Sequence, residues 1–262
     1  PIANFLSGGL DSTSIIKNTT NFNTNINTFN VEIDSKKYDE SYWAKLVSEK
    51  YETNHTSIKL SSNISIENVL SALESLDEPY SDPSLIPSYL ICKEMSKKYK
   101  VAISGDGGDE LLGGYKRFQN SLINSNKFKM LFSKLYDVYP PFLGTGNIFS
   151  SKSDDLETRY KSYLEDNKLL KLLNSNVFES KIGTLFKDYS IDDNYKLLQL
   201  IEYKFFLSEM MMFKVDRTSM ANSLEVRSPF VDHLLIEYIL SHTNNYFLPT
   251  IPKKILSDYL LD

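Results

Sequence analysis

Residues 2–17 read Ile-Ala-Asn-Phe-Leu-Ser-Gly-Gly-Leu-Asp-Ser-Thr-Ser-Ile-Ile-Lys, an apolar run, a glycine turn and then a helical pattern. A strand that opens a helix through a glycine turn suits phosphate, because glycines let the backbone approach an anion and the first helical N–H groups lack acceptors. Hydroxyls at Ser7, Ser12 and Thr13 add donors. Asp11 would repel a phosphate unless a divalent cation lay between them. The stretch therefore predicts a site for nucleotide phosphates and Mg²⁺; the alternative is an ordinary helix cap by Ser7 or Asp11.

The same loop has neither of the two commoner phosphate signatures, G-x-x-x-x-G-K-[ST] and G-x-G-x-x-G. Its form, S-G-G-x-D-S over residues 7–12, resembles the pyrophosphate loop of ATP enzymes. Those enzymes cleave between the α and β phosphates and leave AMP. The resemblance implies that ATP is bound here.

Length, charge and composition exclude several classes of protein. The 262 residues suit one large domain, or one domain with a helical extension. A net charge of −5 argues against nucleic acid as the main partner, since phosphate-backbone binding needs a basic face. No run approaches the roughly 20 apolar residues of a membrane span, and the start lacks a secretory signal pattern, so a cytoplasmic location is expected. The single cysteine, Cys92, excludes an internal disulfide, and its helical apolar surroundings predict a buried, inert thiol.

The order of predicted elements indicates an α/β fold. Over residues 1–118, short apolar runs alternate with helical patterns, which predicts a parallel sheet with crossover helices. The later strands are predicted at 27–33, 55–60 and 100–103, and the helices at 38–51, 66–76 and 84–99. Residues 119–262 are expected to be largely helical, with a long buried helix over 195–220. Ligands bind at the carboxyl ends of parallel strands, where both glycine-rich loops of this chain fall.

The second glycine-rich loop carries a cluster of acids. It follows the predicted strand at 100–103 and reads Ser-Gly-Asp-Gly-Gly-Asp-Glu over residues 104–110. Asp109 is predicted to join Asp11 as a Mg²⁺ ligand, and Asp106 and Glu110 to orient a substrate amine or act as a general base. The alternatives are a calcium-type loop, whose D-x-[DN]-x-[DN]-G-x₅-E pattern is not met, and a solvated acidic turn.

Three blocks, at 7–12, 104–115 and 215–233, are together similar to the synthetase domain of glutamine-dependent asparagine synthetases. The resemblance spans most of the chain and implies a parallel sheet of the adenine-nucleotide α-hydrolase-like (pyrophosphate-loop) type with a largely helical C-terminal half. The whole of 1–262 would be one synthetase domain, with its α/β nucleotide-binding core at 1–118. Family enzymes adenylate the side-chain carboxylate of aspartate with ATP, release pyrophosphate, and let ammonia displace AMP to give asparagine.

The resemblance also implies roles for individual residues. Those implied to bind the β and γ phosphates are Ser7, Gly8, Gly9, Asp11 and Ser12. Those at positions that hold the adenosine are Leu6, Val31, Ser104 and Gly105. Asp11 and Asp109 would hold Mg²⁺.

Three further residues are implied to be catalytic: Asp106, Glu110 and Lys253. Asp106 stands where the family often has a glutamate that handles the amine proton, and its side chain is one methylene shorter. Lys253 matches a lysine that stabilises charge on the α-phosphate in the transition state. If that match is displaced by one position, the residue is Lys254.

Two other segments permit more than one interpretation. Asp216, Arg217, Glu225 and Arg227 alternate with apolar residues, which favours a buried ion-pair network beneath the site over a direct catalytic role. The segment 77–84 contains two prolines and three acids. It is predicted either to line an amino-acid pocket or to form a plain turn.

The expected partners are aspartate and ammonia, or another carboxylate substrate, and a second copy of the chain in a homodimer. The family's N-terminal glutaminase domain, with its first-residue cysteine, is expected to be absent here and to belong to the full-length protein. One alternative is a related adenylating amidotransferase or β-lactam synthetase-like cyclase acting on another carboxylate. Another is a non-catalytic nucleotide-binding module; a tRNA-modifying enzyme is disfavoured by the acidity.

Overall fold

Parallel strands build a five-stranded sheet within the described part of the chain, in the order β3-β2-β1-β4-β5. The strands are β1 Ile2–Phe5, β2 Asn27–Ile33, β3 Asn54–Leu60, β4 Val101–Ile103 and β5 Glu225–Arg227. In the central strand Ala3 lies opposite Asn27 of β2 and opposite Ala102 of β4. The predicted parallel sheet is confirmed. Since β1 and β4 are parallel neighbours, the loops that follow them lie side by side at the carboxyl ends of the strands.

This architecture is that of a computed structural model, which describes residues 1–35, 37–60, 64–123, 140, 149, 151, 153, 155–164, 181–246 and 251–261. The chain forms two compact units. The first comprises Pro1–Asp109, Leu207–Ser241 and Lys253–Asp262, and the second comprises Glu110–Phe206 and His242–Pro252. The last part of the chain therefore folds with the N-terminal sheet and not only with the helices that precede it.

Helices make up most of the remaining described structure. Their bounds are α1 Leu10–Thr20, α2 Ser41–Lys50, α3 Ile66–Glu74, α4 Leu85–Met95, α5 Gly108–Leu112, α6 Lys116–Leu122, α7 Leu156–Lys161, α8 Lys181–Asp188, α9 Asn194–Ile201, α10 Met212–Met220, α11 His233–Tyr246 and α12 Lys254–Leu261. A π-helix, Glu202–Met211, joins α9 to α10, so the predicted helix over 195–220 is continuous but changes its winding. Among the described residues, no helix is both long and apolar enough to cross a bilayer.

Each unit has its own apolar core. In the first unit, one cluster includes Ala3, Phe29 and Cys92, and another joins Leu6 and Ile16 to the inner side of α2. Cys92 is buried, as predicted, and burial raises the pKa of its thiol to about 12. In the second unit, α6, α7, α8 and α9 contribute to a separate cluster.

The prediction that Arg217, Glu225 and Arg227 belong to a buried ion-pair network is wrong. Arg217 pairs with Asp77, but both side chains are substantially exposed. Arg227 donates to Glu225 at 2.8 Å, again between exposed side chains, because the two residues lie on the same outward side of β5. Glu225 and Arg227 flank Val226 because β5 is a half-buried edge strand, in which alternate side chains face the same side. Arg217 instead lies on α10.

Candidate active site

The loop between β1 and α1 is shaped by Gly8. This residue has φ +81°, and a Cβ added to it would lie 2.5 Å from the carbonyl carbon and Cβ of Trp43. Only glycine fits such a position without strain or displacement of α2. The loop is also tied to the sheet, because the Leu6 N–H donates to the carbonyl oxygen of Phe29 at 2.8 Å.

The hydroxyls of this loop hold it in a closed turn. The Oγ atoms of Ser7 and Ser12 are 3.0 Å apart, and the N–H of Gly9 donates to Ser7 Oγ at 3.1 Å. Gly9 itself occupies the N-cap of α1 and has no side-chain acceptor to offer. The interpretation in which Ser7 or Asp11 caps the helix is therefore wrong. The first turn of α1 presents uncapped N–H groups, which suit an anion.

The loop after β4 lies against the first loop, and two of its glycines permit the approach. A Cβ on Gly105 would lie 3.1 Å from the Cβ of Asp11, and one on Gly108 would lie 2.5 Å from Asp11 Oδ1. Any side chain at Gly108 would therefore displace the Asp11 carboxylate. The adjacency of β1 and β4 brings the two predicted loops together.

A lysine from near the end of the chain joins the two loops. Lys253 donates to Asp11 Oδ2 and lies 2.6 Å from Asp109 Oδ1. It directly precedes α12 and has φ +56°, a conformation that residues other than glycine adopt at a cost. Lys254, in contrast, pairs with Asp258 at 2.7 Å on the exposed side of α12. The structure thus brings Lys253, and not Lys254, to the two carboxylates.

Burial and charge change the protonation of this group. Burial raises the pKa of Asp11 to about 6, although Lys253 opposes the rise, while Asp109 and Asp106 add to it. Burial lowers the pKa of Lys253, but Asp11 and Asp109 outweigh burial and leave that pKa above its ordinary value. Lys253 is therefore held firmly as a cation.

The donor set near Asp11 fits a magnesium ion that also binds substrate phosphates. Asp11 Oδ1 is buried and accepts no hydrogen bond from any residue that the structure describes. Mg²⁺ commonly takes one or two carboxylates, with water and phosphate oxygens completing its octahedron. Within the described ranges no group of three or more His, Cys, Asp or Glu side chains could hold a metal. Asp11 and Asp109 are therefore suited to share a metal with a nucleotide rather than to enclose one.

The other predicted residues of the second loop lie in different surroundings. Ser104 is buried, and its Oγ is 2.6 Å from Ser228 Oγ. Burial raises the pKa of Asp106, and a hydrogen bond with the Ser104 hydroxyl opposes that rise. Glu110 is 1% exposed and accepts a hydrogen bond from the Tyr115 hydroxyl at 2.8 Å.

The two predicted adenosine residues outside the loops are both apolar. Leu6 is buried in the cluster beneath α1 and α2, and Val31 is partly buried at the other end of β2 from Asn27. Their roles toward adenosine remain predictions.

The sequence interpretation missed a buried lysine. Lys214 is 4% exposed, and its ammonium is 3.0 Å from Asp82 Oδ2 and 2.7 Å from Ser84 Oγ. Its third donor meets only the sulfur of Met211, at 3.7 Å. A lysine inside the apolar run Met211-Met212-Phe213-Lys214-Val215 was the available signal, since buried lysines are rare unless paired. Residues 77–84 were predicted to form a plain turn or to line an amino-acid pocket. Neither interpretation predicted the ion pair between Asp82 and Lys214.

Comparison with known proteins gives the family. A family model described as asparagine synthase matches residues 1–259. Asparagine synthetase [glutamine-hydrolyzing] 1 of Bacillus subtilis is 30% identical over 251 residues, which cover 90% of this chain and 40% of that protein. A putative asparagine synthetase [glutamine-hydrolyzing] of Mycobacterium bovis is 27% identical over 87% of this chain and 37% of its own length. The chain thus spans about 40% of the length of these relatives, and it belongs to the asparagine synthase family.

Proposed function

We propose that this chain is the synthetase part of an ATP-dependent, AMP-forming amide synthetase that converts aspartate and ammonia to asparagine. The observation that carries the proposal is the meeting of Asp11, Asp109 and Lys253 at two glycine-rich loops. Membership of the family, and relatives that are named asparagine synthetases, support the same reaction. The proposed setting is the cytoplasm, with ammonia supplied by a glutaminase domain of the full-length protein.

The phosphates of ATP would bind at the start of α1. Gly8 and Gly9 allow close approach of the backbone, and the first N–H groups of α1, which no side chain caps, would donate to the anion. The hydroxyls of Ser7 and Ser12, which bond to each other in the free chain, can turn toward phosphate oxygens. Asp11 and Asp109 would hold Mg²⁺, which when bound neutralises charge on the departing pyrophosphate.

Lys253 would stabilise the transition state of adenylation. As the aspartate carboxylate attacks the α-phosphorus, negative charge grows on the α-phosphate oxygens. A lysine that the two carboxylates hold in its cationic form can donate to one of these oxygens. The bond from the α-phosphorus to the bridging oxygen of pyrophosphate then breaks, and pyrophosphate leaves.

The second half-reaction needs a proton acceptor. The ammonia nitrogen attacks the acyl carbon of β-aspartyl-AMP, the acyl carbon–oxygen bond breaks, and AMP departs. Asp106 is proposed to take the proton from the attacking nitrogen, because its raised pKa makes its carboxylate a better base than an ordinary aspartate. Glu110 is the second candidate, with Tyr115 orienting its carboxylate.

The test is formation of AMP and pyrophosphate from Mg-ATP and ammonium, with and without aspartate. We expect aspartate to stimulate both products, and Asp11→Asn to reduce the rate at least about 100-fold, which corresponds to about 2.7 kcal/mol of transition-state stabilisation. Asp258→Asn is the matched control, since Asp258 is exposed and pairs only with Lys254 among the described residues.

Each result has a distinct meaning. Stimulation by another carboxylate instead of aspartate would favour a related amidotransferase or cyclase. ATP binding without product from any carboxylate, in the full-length protein supplied with ammonium, would contradict the synthetase assignment.

A further inference from the structure

Helices α1 and α12 are joined at two points. At the first, Asp11 in the opening turn of α1 accepts from Lys253, which directly precedes α12. At the second, Lys17 in the last turns of α1 donates to the carbonyl oxygen of Tyr259 near the end of α12. The Lys17 ammonium also lies over the Tyr259 ring, 4.4 Å from its centroid. The helices therefore run side by side in the same direction.

The spacing of the two contacts is the same on both helices. Six positions separate Asp11 from Lys17, and six separate Lys253 from Tyr259. At about 1.5 Å per residue, each interval spans about 9 Å of helix axis. A shift of α12 by one residue along α1 would break the second contact, so this contact defines the register that brings Lys253 to Asp11.

Partly buried residues on α12, Ile255, Tyr259 and Leu260, also pack it against the first unit. Within this helix Leu256 is the one buried residue, and Leu261 is 86% exposed. Lys253 also has φ +56°, so its own backbone does not favour the observed position. The Lys17 contact is a second polar attachment, which can keep the ammonium between the two carboxylates.

We propose that Lys17 is a positioning residue, which through Tyr259 sets the register of α12 on α1 and so holds Lys253 at the nucleotide site. The inference rests on the proposed function for the catalytic role of Lys253. The placement of α12 by Lys17 does not depend on that role. Lys17 is not proposed to contact the reacting atoms; it acts through α12, which Lys253 directly precedes.

The first test is hydrogen exchange of the α12 amides in the whole protein. Lys17→Met keeps the aliphatic stem but removes the donor and the charge, and we expect exchange at 256–261 to quicken at least about fivefold while β1 and β4 are unchanged. Lys17→Arg should retain most of the protection, because a guanidinium can reach the carbonyl and lie over the ring. The matched control is Lys45→Met, which removes an exposed lysine from the surface of α2.

The second test separates positioning from general stability. We expect Lys17→Met to lower kcat for aspartate-dependent AMP formation about tenfold, and to have no further effect when combined with Lys253→Met. If Lys17 acts only by positioning the Lys253 ammonium, its substitution has no effect on kcat in a variant that lacks this ammonium. Equal losses in both backgrounds would overturn the proposal, as would unchanged exchange of α12 in Lys17→Met.

The results of the two tests are independent of each other. Exchange needs no turnover, so a wild-type protein that forms no AMP contradicts the proposed function while the exchange result still decides the role of Lys17. If Lys17→Met does not fold, Tyr259→Leu removes the ring and leaves the carbonyl. That variant should then show part of the increase in α12 exchange, and wild-type exchange would contradict the inference.

Discussion

At the scale of the residue, the Lys253 ammonium lies where two carboxylates converge. In the free chain it reduces the repulsion between Asp11 and Asp109, both of which lie within ion-pair distance of the ammonium. The same carboxylates are the proposed metal ligands. If a metal binds these carboxylates as proposed, lysine and metal would compete for one position, and metal binding would free the ammonium to reach the phosphates.

We predict that Lys253→Met strengthens the binding of Mn²⁺ in the absence of nucleotide by about tenfold, or about 1.4 kcal/mol. The physical reason is that the two carboxylates no longer have an internal cation. Direct metal binding can be followed by the electron paramagnetic resonance of free Mn²⁺. Lys254→Met, which removes only an exposed pair, should bind Mn²⁺ as the wild type does; equal affinity in both variants would show that Lys253 does not occupy the metal position.

A second residue-scale prediction concerns the glycine turn. Gly8→Ala should lower the free energy of unfolding by about 2 kcal/mol or more, because the new Cβ would overlap the backbone at Trp43 and φ is positive. Gly9→Ala should cost less than about 1 kcal/mol, since Gly9 has φ −70° and its Cβ would meet only Ser7 Oγ, at 3.2 Å. Urea denaturation measures both, and equal losses would contradict the steric account.

The residues whose local structure could be predicted from the sequence share one property, which is that their signal is local. Gly8 and Asp11 stand in one short loop, so spacing alone shows a strand, a turn and a helix start. Lys17 and Lys214 were missed because their partners are distant in sequence. Only the fold brings such pairs together, and nothing in the residue types alone says which acid or carbonyl a lysine will meet.

At the scale of the element, strands and helices with a clear period were predictable to within a few residues. Strand β2 was predicted with its observed bounds, Asn27–Ile33. Strand β5 was missed because it has only three residues, too few to show alternation, and two of them are charged. The π-helix was missed because a helical apolar pattern does not distinguish its winding from that of an α-helix.

The start of the π-helix supplies a third prediction. Arg117 of α6 makes two hydrogen bonds to Glu202, at 3.0 and 2.7 Å, and its guanidinium lies over the rings of Tyr115 and Phe206. Glu202 has no exposed side-chain surface, so loss of the Arg117 guanidinium removes the cation that compensates a buried carboxylate. Arg117→Met should lower the free energy of unfolding by about 3–5 kcal/mol. In Arg117→Met/Glu202→Leu the loss should be smaller than in the single variant, and a larger loss would contradict this explanation.

A fourth prediction follows from the ion pair that ties the segment before α4 to α10. Burial raises the pKa of Asp82, but the Ser84 N–H, Lys214 and the Ser84 hydroxyl outweigh burial and leave that pKa below its ordinary value. A carboxyl whose pKa is lower in the folded state stabilises the fold above its unfolded pKa, and that stabilisation is lost as the pH falls through the folded pKa.

The stability difference between the wild type and Asp82→Asn should therefore be constant from pH 7 to about 5 and shrink below about 4, near the unfolded pKa of an aspartate. Urea denaturation across this pH range provides the measurement. A difference that grows on acidification would show that Asp82 is not held as an anion in the folded protein.

At the scale of the whole molecule, the site draws on distant parts of the chain. Asp11 follows the first strand, Asp109 follows the fourth, and Lys253 lies near the end of the sequence. The parallel sheet could be predicted, because alternating patterns identify strands joined by helices. The sequence could not predict that residues 207–241 and 253–262 belong to the first unit, because no local pattern shows which apolar core a helix packs into.

The contact between Gly8 and α2 has an optical consequence. Trp43, the one tryptophan in the sequence, has its backbone against the glycine turn and its indole 58% exposed beside the Tyr42 ring. A displacement of Gly8 on phosphate binding would reach this residue by direct contact. The protein thus carries a built-in fluorophore at its proposed nucleotide site, and occupancy can be followed by tryptophan emission in unlabelled material.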